Sequence, residues 1–237
     1  MPNVPTYSKI IAIPQGAEAV INIVNYEKEI IQNINIAPSR GIEPQVVEPT
    51  VDYVKNDLVY SKDEFYPSSY AGIGEYTTLR GIDIITLNIS PIQFNPITKE
   101  AVVYHNIELT IEYKGGNSQF GDNAYRSPYF DPILAQNILN YNDLPKIDYE
   151  ARFQEWIKDG SEGYEYIIVT PNNDAWAPYA QQLADLRTKQ GILTKVYRLD
   201  EMGVTNTNQL KAWFHDAYYN WEIRPVAVCL MGDHNTD

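Results

Sequence analysis

Val226-Ala227-Val228-Cys229-Leu230-Met231 is apolar at every position and runs into Gly232-Asp233-His234. Six such residues without alternation read as a strand covered on both faces, which is the pattern of a parallel sheet flanked by helices. Just before it, Leu210, Trp213, Phe214, Ala217, Tyr218 and Trp221 recur at i, i+3, i+4, i+7, i+8 and i+11, the apolar stripe of an amphipathic helix. Asn206 and Gln209 stand at capping-box spacing where that helix opens. Leu193 to Leu199 is a second strand. An earlier helical stretch carries Tyr179, Leu183 and Leu186 on one face, with Pro178 in its first turn and Gly191 at the C′ position. Tyr166-Ile167-Ile168-Val169 supplies the first strand. This β-α-β-α-β order predicts a parallel sheet with right-handed crossovers over residues 164–237.

Toward the N-terminus the period changes from helical to two. Val103, His105, Ile107, Leu109, Ile111 and Tyr113 share one parity, and mostly polar residues share the other, so this stretch is a half-buried strand ending at Gly115-Gly116. Gly81 to Ile89 is a second β-rich run whose apolar parity slips between Ile84 and Ile85, which predicts a bulge or two covered faces. Asn95-Pro96-Ile97-Thr98-Lys99 reads as the hairpin connection between them. Ala19–Val24 and Ile30–Ile36 add further β-like runs, and prolines at 38, 44, 49 and 67 argue against helix in between. The sum is an antiparallel β-sandwich over residues 1–124. The stretch 125–163, rich in Asn, Asp, Pro and Tyr, reads as a linker that packs across the surface, with a short helix near Ile133 to Leu139.

Composition narrows the function classes. The formal charge is −13, from 31 acidic and 18 basic residues, and no basic stripe offsets it, so nucleic acid is an unfavourable partner. No apolar run is long enough for a membrane span, and Met1-Pro2-Asn3-Val4-Pro5 carries no signal-peptide pattern. A single cysteine excludes an intrachain disulfide. Gly72-Ile73-Gly74 lacks the third glycine and the following helix of a dinucleotide loop.

Several words, in order, resemble the gingipain-type cysteine peptidase precursors. In the C-terminal half they are Tyr164 to Thr170, then Gln182 to Gly191 with its Leu186-Arg187, then Tyr218-Tyr219-Asn220-Trp221, and finally Val228 to His234. In the N-terminal half they are Val59-Tyr60, Tyr66-Pro67, Leu79-Arg80-Gly81 and Pro91 to Lys99. The resemblance implies a β-sandwich prodomain ahead of a partial, caspase-like α/β peptidase domain. It implies export to the cell surface or medium from a Bacteroidetes-type bacterium, with some relatives acting as surface sortases. It also implies that the remainder of the peptidase domain is the partner, and that polypeptides are the substrates of the parent protein.

A cysteine peptidase needs a thiolate within reach of a histidine. The family's His-Gly word is absent, and Cys229, inside an apolar strand, reads as a buried inert thiol. The chain is therefore expected to be a zymogen fragment without a catalytic residue of its own, inactive alone. A non-catalytic adhesion or carbohydrate-binding module is the alternative. Relatives' prodomains present a basic residue to the active-site cleft, so Arg126, Arg152 and Lys158 are candidates for inhibition or processing. Asp233, after the third strand, is either a loop cap or, by the resemblance, a calcium ligand.

Overall fold

The computed structural model describes residues 1–40 and 53–232. Two compact units divide it. The first comprises Met1–Asp122 with Ile133–Pro145, and the second comprises Asn123–Pro132 with the described residues from Lys146 on.

The first unit holds two three-stranded antiparallel sheets. Strands β1 (Tyr7–Ala12), β4 (Ile82–Ile89) and β3 (Ala71–Leu79) form one, in the order β1-β4-β3. Strands β2 (Ala17–Ile31), β6 (Glu100–Gly115) and β5 (Ile92–Asn95) form the other, in the order β2-β6-β5. The parity slip in β4 has a direct cause: both of its faces are covered. Ile85 and Leu87 join Ile11, Ile13 and Ala19 in a core completed by Ile21, Leu109 and Ile111 of the second sheet. Ile82 and Ile84 face the opposite way and pack with Leu134, Ile138 and Leu144.

Those last three residues lie in the stretch read as a linker, Leu134 on the short helix α2 (Asp131–Asn137), the second after α1 (Asp57–Tyr60). Each, when fully buried, contributes on the order of 1.5–3 kcal/mol. The same stretch closes the free edge of β1. Asn140 accepts from the Ala12 N–H at 2.8 Å and donates to the Ala12 carbonyl at 3.0 Å, and the Leu139 N–H donates to Ile10 at 2.9 Å. A bare strand edge is a pairing hazard, and one asparagine here satisfies both of its backbone groups. Residues 125–163 are thus shared out: 133–145 build the first core, and the rest belongs to the second unit.

Strand expectations change at three places. Ala19–Val24 and the start of Ile30–Ile36 are one strand, β2, which ends at Ile31. The hairpin at Asn95–Lys99 joins β5 to β6 rather than β4 to β6, because the chain changes sheet at Ser90-Pro91. Asn95 Oδ1 accepts from the N–H groups of Ile97 and Thr98 and so shapes that turn. In β6 the alternation breaks at Asn106, whose φ of 50° accompanies a register shift against β2. The bulge moves His105 off the apolar face, and it is exposed, 3.9 Å from Glu29.

The second unit holds the parallel sheet, order β8-β7-β9, from β7 (Tyr166–Thr170), β8 (Thr194–Arg198) and β9 (Ala227–Leu230). Helix α4 (Ala177–Lys189) joins β7 to β8 and helix α5 (Thr207–Asn220) joins β8 to β9. Alternation in the strands divides the two faces. Ile168 packs on Ala180 and Ala184 of α4, together with Tyr166, Val196 and Cys229. Tyr197 points to the other face and meets Trp213 of α5 at 5.1 Å between ring centroids. The expected cap is present, with Asn206 accepting from the Gln209 N–H at 3.0 Å. Helix α3 (Tyr149–Asp159) completes the unit, capped by Asp148 at one end and left-handed Gly160 at the other.

Candidate functional site

The first strand of the parallel sheet lies in the middle: the chain passes from β7 to β8 on one side and then crosses back past β7 to β9 on the other. Ligand sites of such sheets collect at the carboxyl ends of the strands around that switch point. Here that edge is tied by ions. Arg198, at the end of β8, bridges Asp174 of the loop after β7 and Asp200, while Asn172 accepts from the Asp200 N–H at 2.8 Å. Arg198 accordingly holds Asp200 below the usual carboxylate range. Asp233 and His234 lie outside the described residues. Among the described residues no group of three or more His, Cys, Asp or Glu converges on a metal position.

Cys229 is only half-buried, not enclosed as its apolar neighbours suggest. The reason is that β9 is an edge strand of the described sheet. Cys229 turns toward α4, beside the Tyr166 hydroxyl, and Val228 and Leu230 turn to the other face, where they are 41% and 64% exposed. His215, on α5, lies beside Tyr219 with the two rings tilted and their centroids 4.5 Å apart. At the amino ends of the strands a cleft of about 610 Å³ is walled by Trp156, Tyr164, Tyr197 and Trp221. Burial there, with Tyr164 and Glu162 nearby, pushes the Tyr197 hydroxyl up to about 12.

The basic candidates separate sharply. Arg126 is 4% exposed and makes a two-pronged ion pair with Asp131, Nε to Oδ1 at 3.1 Å and Nη2 to Oδ2 at 2.8 Å. Arg152, on α3, donates to the carbonyls of Asn123 and Arg126 at 3.2 and 3.3 Å. Together they fold the segment 123–132 and fasten it to α3. Tyr149 lies in the same cluster, its hydroxyl held above the usual range first by burial and then by the Asp131 carboxylate beside it. Lys158 is different: it is exposed in the last turn of α3, two residues before Gly160. A lysine there suits the carboxyl end of the helix dipole, and it is the candidate open to solvent.

Sequence reading missed Asp131 and Tyr149, because neither lies on a periodic stripe. Glu165 was also missed. It is 5% exposed at the start of β7, its Oε2 accepts from the Leu193 N–H at 3.1 Å, and burial raises its pKa.

Residues 1–148 match the family described as Propeptide_C25, and residues 159–237 match Peptidase family C25. The chain is 25% identical over 248 residues to Lys-gingipain of Porphyromonas gingivalis, covering 98% of this chain and 14% of that protein. It is 22% identical over 238 residues to gingipain R2 of the same species, covering 98% of this chain and 31% of that protein. It therefore spans less than a third of the length of either relative. In structure it is similar to a solved complex of the RgpB pro- and mature domains from Porphyromonas gingivalis. The TM-score is 0.51 at 25% identity, over 59% of this chain and 72% of that one.

Proposed function

The chain belongs to the Propeptide_C25 family, and from that premise we propose that it is the latency-conferring propeptide and the opening of the peptidase domain of a gingipain-like cysteine endopeptidase zymogen. One observation carries this reading: the propeptide match and the peptidase match follow one another, in precursor order, along one chain. The two antiparallel sheets with a shared apolar core support a β-sandwich prodomain, in residues 1–124. The three parallel strands support the start of a caspase-like sheet from residue 164 on, with 125–163 as the connecting stretch, of which 133–145 pack into the first core and the rest into the second unit.

On this reading the remainder of the peptidase domain is the partner and polypeptides are the substrates of the parent enzyme. Its place is outside the cell or on its surface. Lys158 is the processing position, because a protease needs an exposed, locally yielding bond. Arg126 and Arg152 serve the fold around segment 123–132. The test is enzymatic. The purified chain added in trans to the mature peptidase of its own precursor should lower hydrolysis of Arg- or Lys-ended substrates, and should itself turn over none. Undiminished peptidase activity at saturating chain would remove the latency reading.

A further inference from the structure

Segment 123–132 lies within the propeptide match, yet it is built into the same compact unit as the peptidase match. Its leading side chain is Tyr125, at the end of a short 3₁₀ turn, Asn123–Tyr125. The Arg224 guanidinium carbon lies 4.2 Å from the centroid of the Tyr125 ring, close for a cation over an aromatic face. Tyr218 and Tyr219 of α5 close the seat, with ring centroids 5.5 and 6.4 Å from that of Tyr125. Arg224 is itself oriented, donating from Nη2 to the Tyr219 carbonyl at the end of α5 at 3.3 Å. All three seat residues lie in the peptidase match.

The segment that presents Tyr125 is pre-formed. The Arg126–Asp131 pair spans it, and the N–H groups of Phe130 and Asp131 both donate to Ser127. A rigid loop carrying an aromatic side chain into a fitted seat loses little conformational freedom on docking. A single aromatic anchor in such a seat commonly dominates an interface.

We propose that Tyr125, seated on Arg224, Tyr218 and Tyr219, is the anchor that holds the propeptide to the peptidase unit once the covalent link between them is cut. The partner of this α5 surface is the chain's own segment 123–132. The inference rests on the zymogen reading above for its biological sense, but its physical content is separate: it concerns retention, not inhibition.

The experiment uses the full chain with a site-specific protease sequence inserted between Asp159 and Gly160. After cutting, the two pieces of the unsubstituted chain should co-elute from a sizing column at low micromolar concentration. Tyr125→Ala and Arg224→Ala should each weaken retention by about tenfold or more. The double variant should be little worse than the weaker single one, since both remove the same contact. Tyr125→Leu keeps apolar bulk without the ring face and should release the piece, while Tyr125→Phe should retain it; both guard against a loss of folding in the alanine variant. Melting of each uncut variant records that it is folded. Pieces of the unsubstituted chain that separate, or folded Tyr125→Leu and Arg224→Ala variants that hold as tightly as the original, overturn the anchor. If the pieces stay together while the peptidase of the parent precursor remains fully active, the anchor stands and the latency reading falls.

Discussion

Gly163 and Ile223 pair in parallel so closely that a Cβ on Gly163 would lie 2.2 Å from the Ile223 carbonyl oxygen. The φ of Gly163, 128°, is also one that L side chains rarely adopt. This bridge sits just ahead of β7 and β9 and sets the start of their pairing. Gly163→Ala should therefore destabilise the second unit by more than about 2 kcal/mol, from the clash and the strained φ together. Gly191→Ala, where a Cβ meets nothing within 4 Å, carries only the strain of its positive φ and should cost less. Urea melts followed by tryptophan fluorescence check the order, and equal losses at the two positions would contradict it.

Asp131 is the acidic half of a buried ion pair, and its removal takes the counter-charge from the Arg126 guanidinium. Asp131→Asn should cost about 3–5 kcal/mol, because a buried charge loses its counter-charge while its desolvation remains. Replacing both partners, as in Arg126→Met with Asp131→Leu, should cost less than the single change. Chemical denaturation of the three variants decides this. A double variant less stable than Asp131→Asn would show that the pair supplies more than mutual neutralisation.

The parts of this fold that were legible in the sequence are those carried by periodicity. The α5 stripe, the Asn206 cap and the order of the parallel strands are local signals, and they survive because helix and strand periods reflect which side is buried. The parity slip at Ile84–Ile85 leaves a bulge or two covered faces open; the faces are covered, and nothing local says what covers the second. Leu134, Ile138 and Leu144 do so, from a stretch whose short helix is legible but whose Asn and Pro content reads as a linker rather than core. Likewise, nothing local marks Arg126 as buried rather than presented. Its burial depends on Asp131 five residues on and on Tyr149 across a helix, which are tertiary facts. His105 was misplaced because one left-handed residue, Asn106, resets the alternation. Cys229 was read as enclosed because an edge strand and a central strand share the same apolar letters.

Glu165 gives a pH-dependent expectation. Burial raises its pKa above the usual 4.5, with the Leu193 N–H opposing that shift in part. The folded state thus favours the protonated carboxyl. Its contribution to stability is full below the unfolded value and is lost as pH rises through the raised folded value. At neutral pH the folded chain holds a poorly solvated carboxylate. Glu165→Gln keeps the acceptor for Leu193 and removes that charge, so it should raise the melting temperature at pH 7 by about 2 °C or more. The gain should vanish near pH 4. A gain that is constant with pH would point to packing instead.

Arg126, Arg152 and Lys158 should differ in their sensitivity to trypsin. Trypsin needs a basic side chain that can enter its pocket and a backbone that can leave its own hydrogen bonds for several residues. Arg126 meets neither condition, since its guanidinium is engaged by Asp131 and is buried. Arg152 lies in the middle of α3, and its guanidinium is bonded to Asn123 and Arg126. Lys158 is exposed in the last turn, where helices fray, and left-handed Gly160 follows two residues later. Of these three sites, cleavage after Lys158 should precede cleavage after Arg152, with Arg126 last. Lys158→Gln should remove the cut there without raising stability. Asp131→Asn should bring forward cleavage after Arg126 by loosening the segment that hides it. Mass spectrometry of a digestion time course reads all three rates. Early cleavage after Arg126 in the unsubstituted chain would mean that segment 123–132 opens readily, and that the ion pair does not hold it closed.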